Sequence, residues 1–181
     1  MNCWKTINIK KEFGTNRVYL ASFLIGLISF IVMFVPFSIF HHTASINDFG
    51  VLPLILAIVM LPTLHSFMHI LPLIVMNKRA KLIYKSKNKL VPVFYYYTKA
   101  HLSKNASLLV AVAPTILITI PGIIATYLFP SIYVYILIFT AFHIGITFID
   151  FLYIIHITKA PKKSVIENGS NGFDILVKAQ K

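Results

Sequence analysis

Four long apolar segments constrain the fold of this chain more than any other feature. They cover residues 18–40, 51–76, 106–128 and 132–157. Each is longer than the roughly 20 helical residues that cross a hydrocarbon core. Because 57% of the residues are hydrophobic and only 12% are charged, the chain also lacks the polar side chains of a soluble surface. We therefore predict an all-α integral membrane protein with four transmembrane helices in a single domain, residues 1–181.

The basic residues predict how these helices are oriented. All 17 lysines and arginines lie before the first helix, between the second and third helices, or in the tail, residues 158–181. Since lysine and arginine accumulate in cytoplasmic loops, we expect a multi-pass protein of the cell membrane with both termini in the cytoplasm. The formal net charge of +12 favours contact with anionic membrane lipid at this face. We expect no nucleic-acid partner.

Two short β-hairpins are predicted on the cytoplasmic side. In residues 77–100, β-branched and aromatic residues alternate loosely with lysines around a polar SKNK turn at 86–89, a pattern typical of a hairpin. In the tail, SVIENGSNGFDILV at 164–177 places two apolar strands around an NGSNG turn. Neither hairpin is expected to be stable alone.

Four ionisable side chains lie at membrane depth, where their energetic cost makes them candidates for function. His65 and His69 are four residues apart and share one face of the second helix, while His143 and Asp150 share a face of the fourth. Counted from the cytoplasmic helix ends, His69 and Asp150 both lie about 10 Å inside the boundary. Pro114 of the third helix falls at a similar depth. Three helices thus contribute to one layer.

This layer has two interpretations. Two neutral imidazoles and a carboxylate form a suitable three-ligand set for zinc, with a fourth position left for water. His65, His69 and Asp150 are therefore candidate metal ligands. Alternatively, Asp150 pairs with His69 only to hold two helices together.

Three short motifs carry a resemblance to a known family. They are HSFMH at 65–69, VAVAPTILI at 110–118 and GITFIDFLYII at 145–155, followed by NGFDILV at 171–177. From the second helix to the tail, the chain resembles small multi-pass proteins of Gram-positive bacteria, a domain family of unknown function described as zincin peptidases and distantly similar to site-2 proteases. The resemblance implies zinc as the cofactor, with His65, His69 and Asp150 as its ligands.

The chain departs from the family pattern at Ser66. The family motif is HExxH, whose glutamate takes a proton from the attacking water; serine cannot act as that base. The resemblance therefore implies an inactive or catalytically impaired homologue, a pseudoenzyme that binds a membrane-embedded peptide or protein, and we assign no catalytic residue. Two alternatives stay open: an active intramembrane metallopeptidase with an unconventional base, and a non-enzymatic accessory protein whose polar layer is structural.

The other histidines are not candidate ligands. The sequence leaves open whether His143 reaches the same water. We expect His41 and His42 in the outer loop, and His101 and His156 at the interface, to be solvated or hydrogen-bonded.

Overall fold

Four helices long and apolar enough to cross a membrane form most of the protein in its computed structural model. A short helix, α1 (Ile9–Phe13), precedes α2 (Thr15–Phe40), α3 (Val51–Val75), a third span (Lys104–Leu128) and a fourth span (Tyr133–Thr158). The structure describes residues 2–43, 45–47, 50–84, 94–98, 100–169 and 172–177. These helices indicate a membrane protein, as the apolar segments predict, and their ends differ from the predicted ones by three residues or fewer.

The third span is interrupted near its middle. It consists of α4 (Lys104–Pro114), a π-helical turn (Thr115–Thr119) and α5 (Ile120–Leu128). The fourth span is the continuous helix α6 (Tyr133–Thr158). Proline has no backbone N–H and removes one bond of the helical ladder. The N–H of Ile120 reaches back five residues to the Thr115 carbonyl, which is the π-helical pattern. The predicted third helix therefore exists, with a break that its hydropathy does not reveal.

Both predicted hairpins are present. The first pairs β2 (Ala80–Tyr84) with β3 (Phe94–Thr98), antiparallel, between α3 and α4; its SKNK turn lies outside the described residues. The second pairs β5 (Val165–Gly169) with β6 (Gly172–Val177) in the tail.

The tail hairpin belongs to a larger sheet than the sequence predicts. The N-terminal strand β1 (Asn2–Ile7) pairs with β6, and the short strand β4 (Leu102–Ser103) pairs with β5, giving the order β1-β6-β5-β4. Apolar residues from this sheet and from the helix ends form one buried cluster: Ile7, Ile9, Val18, Ile157, Ala160, Ile166, Phe173 and Ile175. The start of α2, the start of α4 and the end of α6 therefore lie at the same end of the helices.

Helix α2 packs against α6 through two glycines. A Cβ added to Gly145 would lie 2.7 Å from the Ser22 carbonyl oxygen, and one added to Gly26 would lie 3.3 Å from that of Ala141. Such close backbone approach is a common way for membrane helices to associate. Only Val18 of α2 is buried, so α2 supports α6 from outside while α3, α4 and α6 surround the polar layer.

Candidate metal centre

Three side chains from two helices meet in one buried group. His65 and His69 lie one turn apart on α3, and Asp150 lies on α6. Nε2 of His65 is 3.2 Å from Oδ2 of Asp150 and 3.3 Å from Nε2 of His69. Nε2 of His69 is 3.5 Å from Oδ1 of Asp150. All three residues are buried. The structure thus brings together the residues that the sequence predicts as metal ligands.

The spacing of these atoms suits a tetrahedral metal. Nitrogen and oxygen ligands bind zinc at roughly 2.0–2.1 Å, so neighbouring ligand atoms in a tetrahedral site lie about 3.3 Å apart. The Nε2 atoms of the two histidines lie 3.3 Å apart, and the two oxygens of the Asp150 carboxylate lie 3.2 and 3.5 Å from them, all close to this value. In addition, Oδ2 of Asp150 is buried and accepts no well-aligned hydrogen bond within the described residues. The group could therefore hold a metal ion, as the donor set also indicates.

A backbone carbonyl sets the orientation of His69. Nδ1 of His69 lies 2.8 Å from the carbonyl oxygen of Val110 on α4. Because a carbonyl only accepts hydrogen bonds, Nδ1 carries the hydrogen and donates it. In the neutral ring, Nε2 then keeps its lone pair and faces Asp150. This arrangement is typical of a histidine that binds a metal.

A second histidine supports His65 from behind. Nδ1 of His65 and Nε2 of His143 are hydrogen-bonded at 3.2 Å, and Nδ1 of His143 is 2.8 Å from Oγ1 of Thr119. His143 is completely buried. Its contact is with the edge of the His65 ring opposite Asp150. His143 therefore holds a candidate ligand in place, which answers the question that the sequence leaves open.

The remaining described histidines lie elsewhere. His41 at the end of α2 bonds the Thr126 carbonyl at 3.1 Å, and His42 contacts the Ile39 carbonyl at 3.2 Å. His101 lies 3.9 Å from the Glu167 carboxylate and His156 lies 3.7 Å from that of Glu12. These contacts are of the structural kind that the sequence predicts, although His41 is buried at the helix end.

The sequence indicates the three candidate ligands but not their supports. Val110 has an apolar side chain, so the sequence does not mark it as a hydrogen-bond acceptor. Only the proline four residues later indicates that its carbonyl lacks a helical partner. Thr119 resembles the other threonines of the apolar helices, and no pattern distinguishes it. Ser66, the residue after His65 on α3, is also buried.

A family model extends the geometric observation. The model described as "Putative zincin peptidase" matches residues 57–165, which is more than half of the chain. The chain belongs to this zincin-like family. The match covers most of α3, the whole third span and α6, and it includes all three candidate ligands. Membership suggests zinc as the metal. No curated protein and no solved structure matches the chain significantly.

Proposed function

We propose that this protein is a zincin-like membrane protein that binds one zinc ion through His65, His69 and Asp150 and is catalytically impaired. The observation that carries the proposal is the convergence of the two histidine Nε2 atoms, 3.3 Å apart, on the Asp150 carboxylate, whose two oxygens lie 3.2 and 3.5 Å from them. Three electron-pair donors at this spacing repel one another unless a cation lies among them. Either a metal or protons on the rings supply that charge, and family membership favours the metal.

The proposed loss of activity depends on the absence of a base. Zinc bound at such a site activates a water molecule and polarises a carbonyl group. The chain must still remove a proton from that water, and the hydroxyl of Ser66, which follows His65 on α3, is too weak a base near neutral pH. Of the five acidic residues in the sequence, only Asp150 lies within the four spans, and it is a ligand. His143 lies on the opposite edge of the His65 ring.

Metal analysis tests the first half of the proposal. We expect the purified full-length protein, prepared without chelator, to carry close to one zinc per chain. Asp150→Ala should remove it, because the carboxylate is one of three protein ligands. A folded wild-type protein that binds no zinc on addition would instead support the interpretation that Asp150 and His69 only hold two helices together.

A gain-of-function substitution tests the second half. Ser66→Glu restores a carboxylate at the family's position, and Ser66→Gln is the matched control of similar size without a base. General base catalysis contributes roughly 10²- to 10⁴-fold. We therefore expect folded, zinc-loaded Ser66→Glu to hydrolyse a membrane-embedded test peptide faster than the Gln variant and the wild type by an increase of about this size. Equal hydrolysis by wild type and Ser66→Glu would identify an active enzyme with another base.

We further propose that the protein lies in the cell membrane with both termini in the cytoplasm. The four-stranded sheet joins the N-terminus, the segment before α4 and the tail at one end of the helices, and the basic residues cluster in these same parts of the chain. Reporters at both termini and near Lys87 should be cytoplasmic, and one near Asn47 should be external. A cytoplasmic reporter at Asn47 contradicts this orientation.

The proposed partners follow from this placement. Basic side chains at the sheet end would contact anionic lipid headgroups, and binding to vesicles should weaken when anionic lipid is replaced by neutral lipid. A zincin-like centre between helices also favours a membrane-embedded peptide or protein as the bound molecule. Site-specific cross-linking from a position near Ser66 would capture such a partner.

A further inference from the structure

The break in the third span lies beside the candidate metal centre. The break consists of Pro114 and the π-helical turn Thr115–Thr119. Val110 lies one turn before Pro114, and Thr119 is the last residue of the π-helical turn. Val110 contacts His69 through its backbone oxygen, and Thr119 contacts His143 through its hydroxyl. The two contacts therefore depend on one irregular stretch of helix.

The first contact requires a carbonyl without its helical partner. In a regular α-helix the Val110 oxygen accepts the N–H of residue 114, but Pro114 has no N–H. The next donor, the N–H of Thr115, bonds the Val112 carbonyl instead. An unpaired carbonyl in an apolar layer is costly, and the Nδ1–H of His69 satisfies it at 2.8 Å. The proline thus creates the acceptor that orients the ring.

The second contact requires Thr119 to face inward. An additional residue in one helical turn rotates the following side chains by about 100° relative to an uninterrupted α-helix. Thr119 ends the π-helical turn and is buried, with Oγ1 2.8 Å from Nδ1 of His143. His143 in turn bonds His65. The turn thereby extends its support to the other ring on α3.

We propose that this break is a positioning device for the metal ligands, with Pro114 and Thr119 as its positioning residues. The Val110 carbonyl keeps the hydrogen of His69 on Nδ1, which leaves Nε2 available to a metal. Thr119 accepts from His143, and His143 accepts the Nδ1–H of His65, so that Nε2 of His65 is likewise available. The inference rests on the proposed metal-binding function and explains how two neutral imidazoles present the same nitrogen to one point.

A pair of proline substitutions tests the first contact. Pro114→Ala returns an N–H that competes with His69 for the Val110 carbonyl. Loss of such an outer contact typically weakens metal binding 10- to 100-fold, and we expect this change in zinc dissociation constant, measured by chelator competition on the full-length protein. Pro130→Ala is the control, because Pro130 also lies four residues after a carbonyl that a histidine bonds, Thr126 with His41, but beyond the end of α5, where a new N–H would not compete for that carbonyl. It should leave zinc affinity unchanged.

Nitrogen NMR of labelled histidine provides a readout that requires no metal. In the zinc-free wild type, His69 should show a single Nδ1–H tautomer, and Pro114→Ala should convert it to a mixture. Unchanged ring shifts together with unchanged zinc affinity in Pro114→Ala would overturn the inference. A wild type that binds no zinc would overturn the proposed function, and the ring shifts would then decide the inference alone.

Two conservative substitutions of Thr119 test the contact between Thr119 and His143. Thr119→Val removes the hydroxyl at nearly constant volume, while Thr119→Ser keeps it. We expect Thr119→Val to weaken zinc binding by roughly tenfold and to shift the His143 ring nitrogens, with Thr119→Ser close to wild type. Equal zinc affinity in the two variants would show that the hydroxyl has no positioning role and would overturn this part of the device.

Discussion

Two histidines in this protein bond backbone carbonyls in different surroundings, His69 through Nδ1 and His41 through Nε2. His69 bonds the Val110 carbonyl at 2.8 Å, and His41 bonds the Thr126 carbonyl at 3.1 Å. The Val110 carbonyl has no helical donor because residue 114 is a proline. The Thr126 carbonyl has none because it lies in the last turn of α5, which ends at Leu128. One contact lies in the polar layer between α3 and α4, and the other joins the ends of α2 and α5.

The difference between them lies in what else surrounds each ring. Nε2 of His69 faces His65 and Asp150. The His41 ring instead contacts the aromatic rings of Phe40 and Tyr133, with centroid separations of 5.1 and 5.0 Å. A ring N–H therefore satisfies a carbonyl that lacks a helical partner both inside the helices and at a helix end. Only the convergence of further ligand atoms makes His69 a candidate for function.

Alanine substitution of each of the two histidines should give the largest difference in zinc content. His69→Ala should abolish zinc binding, because it removes one of three ligands, while His41→Ala should retain one zinc per chain. Metal content of the two purified variants, measured after both are shown to be folded, checks the contrast. Zinc retained by His69→Ala would exclude the proposed ligand set, and zinc lost from His41→Ala would show that the His41 contact also supports the centre.

A packing change at the end of the helices opposite the four-stranded sheet should have a moderate effect. Gly122 on α5 faces Thr140 on α6, and an added Cβ would collide with Oγ1 of Thr140 and lie 3.2 Å from its Cγ2. Gly122 also accepts a hydrogen bond from Thr126, next to the His41 contact. Overpacking of this kind typically costs about 1–3 kcal/mol. We expect Gly122→Ala to lower the free energy of unfolding by this amount, measured in a detergent titration, without changing zinc content.

A second substitution serves as the control for this prediction. Thr140→Ala removes the atoms with which the new methyl group collides, so the double variant Gly122→Ala/Thr140→Ala should be destabilised by less than the sum of the two single changes. Strict additivity would mean that the collision does not cause the loss.

The sequence predicts the parts of this molecule that depend on local pattern. Hydropathy is sufficient for four spans, and residue counting from their ends places His69 and Asp150 at one depth. The pairing of β1 with β6 and of β4 with β5 is not predicted, because each joins segments far apart in the chain and their short strands have no exclusive pattern. The donor to the Val110 carbonyl is also not predicted, since a proline indicates a missing bond but does not identify the side chain that replaces it.

At the end of α6 next to the sheet, a lysine instead of a histidine donates to backbone carbonyls. There Lys104 donates from Nζ to the carbonyls of Thr158 and Ala160 at 2.7 and 2.6 Å. An ammonium group suits this position because its third hydrogen can be solvated by water and because cations stabilise helix C-termini. The same charge inside the apolar layer would be costly. An imidazole at the Val110 carbonyl, inside the helices, and a lysine at the end of α6 follow from this difference.

The smallest expected effect tests the role of that lysine. Replacement of Lys104 by methionine removes the two hydrogen bonds and the favourable charge at the end of α6, a contribution of about 0.3–1 kcal/mol. We expect Lys104→Met to lower the free energy of unfolding by about this amount and the loss to become smaller at high salt, where surface electrostatics are screened. Lys162→Met, at an exposed position just beyond the helix, is the matched control and should change stability less.

A loss that persists at high salt would indicate that the two hydrogen bonds, rather than the charge, stabilise the helix end. A zinc affinity altered by Lys104→Met would mean that Asp150 depends on the end of its helix, whereas the proposed centre depends on the break in the third span.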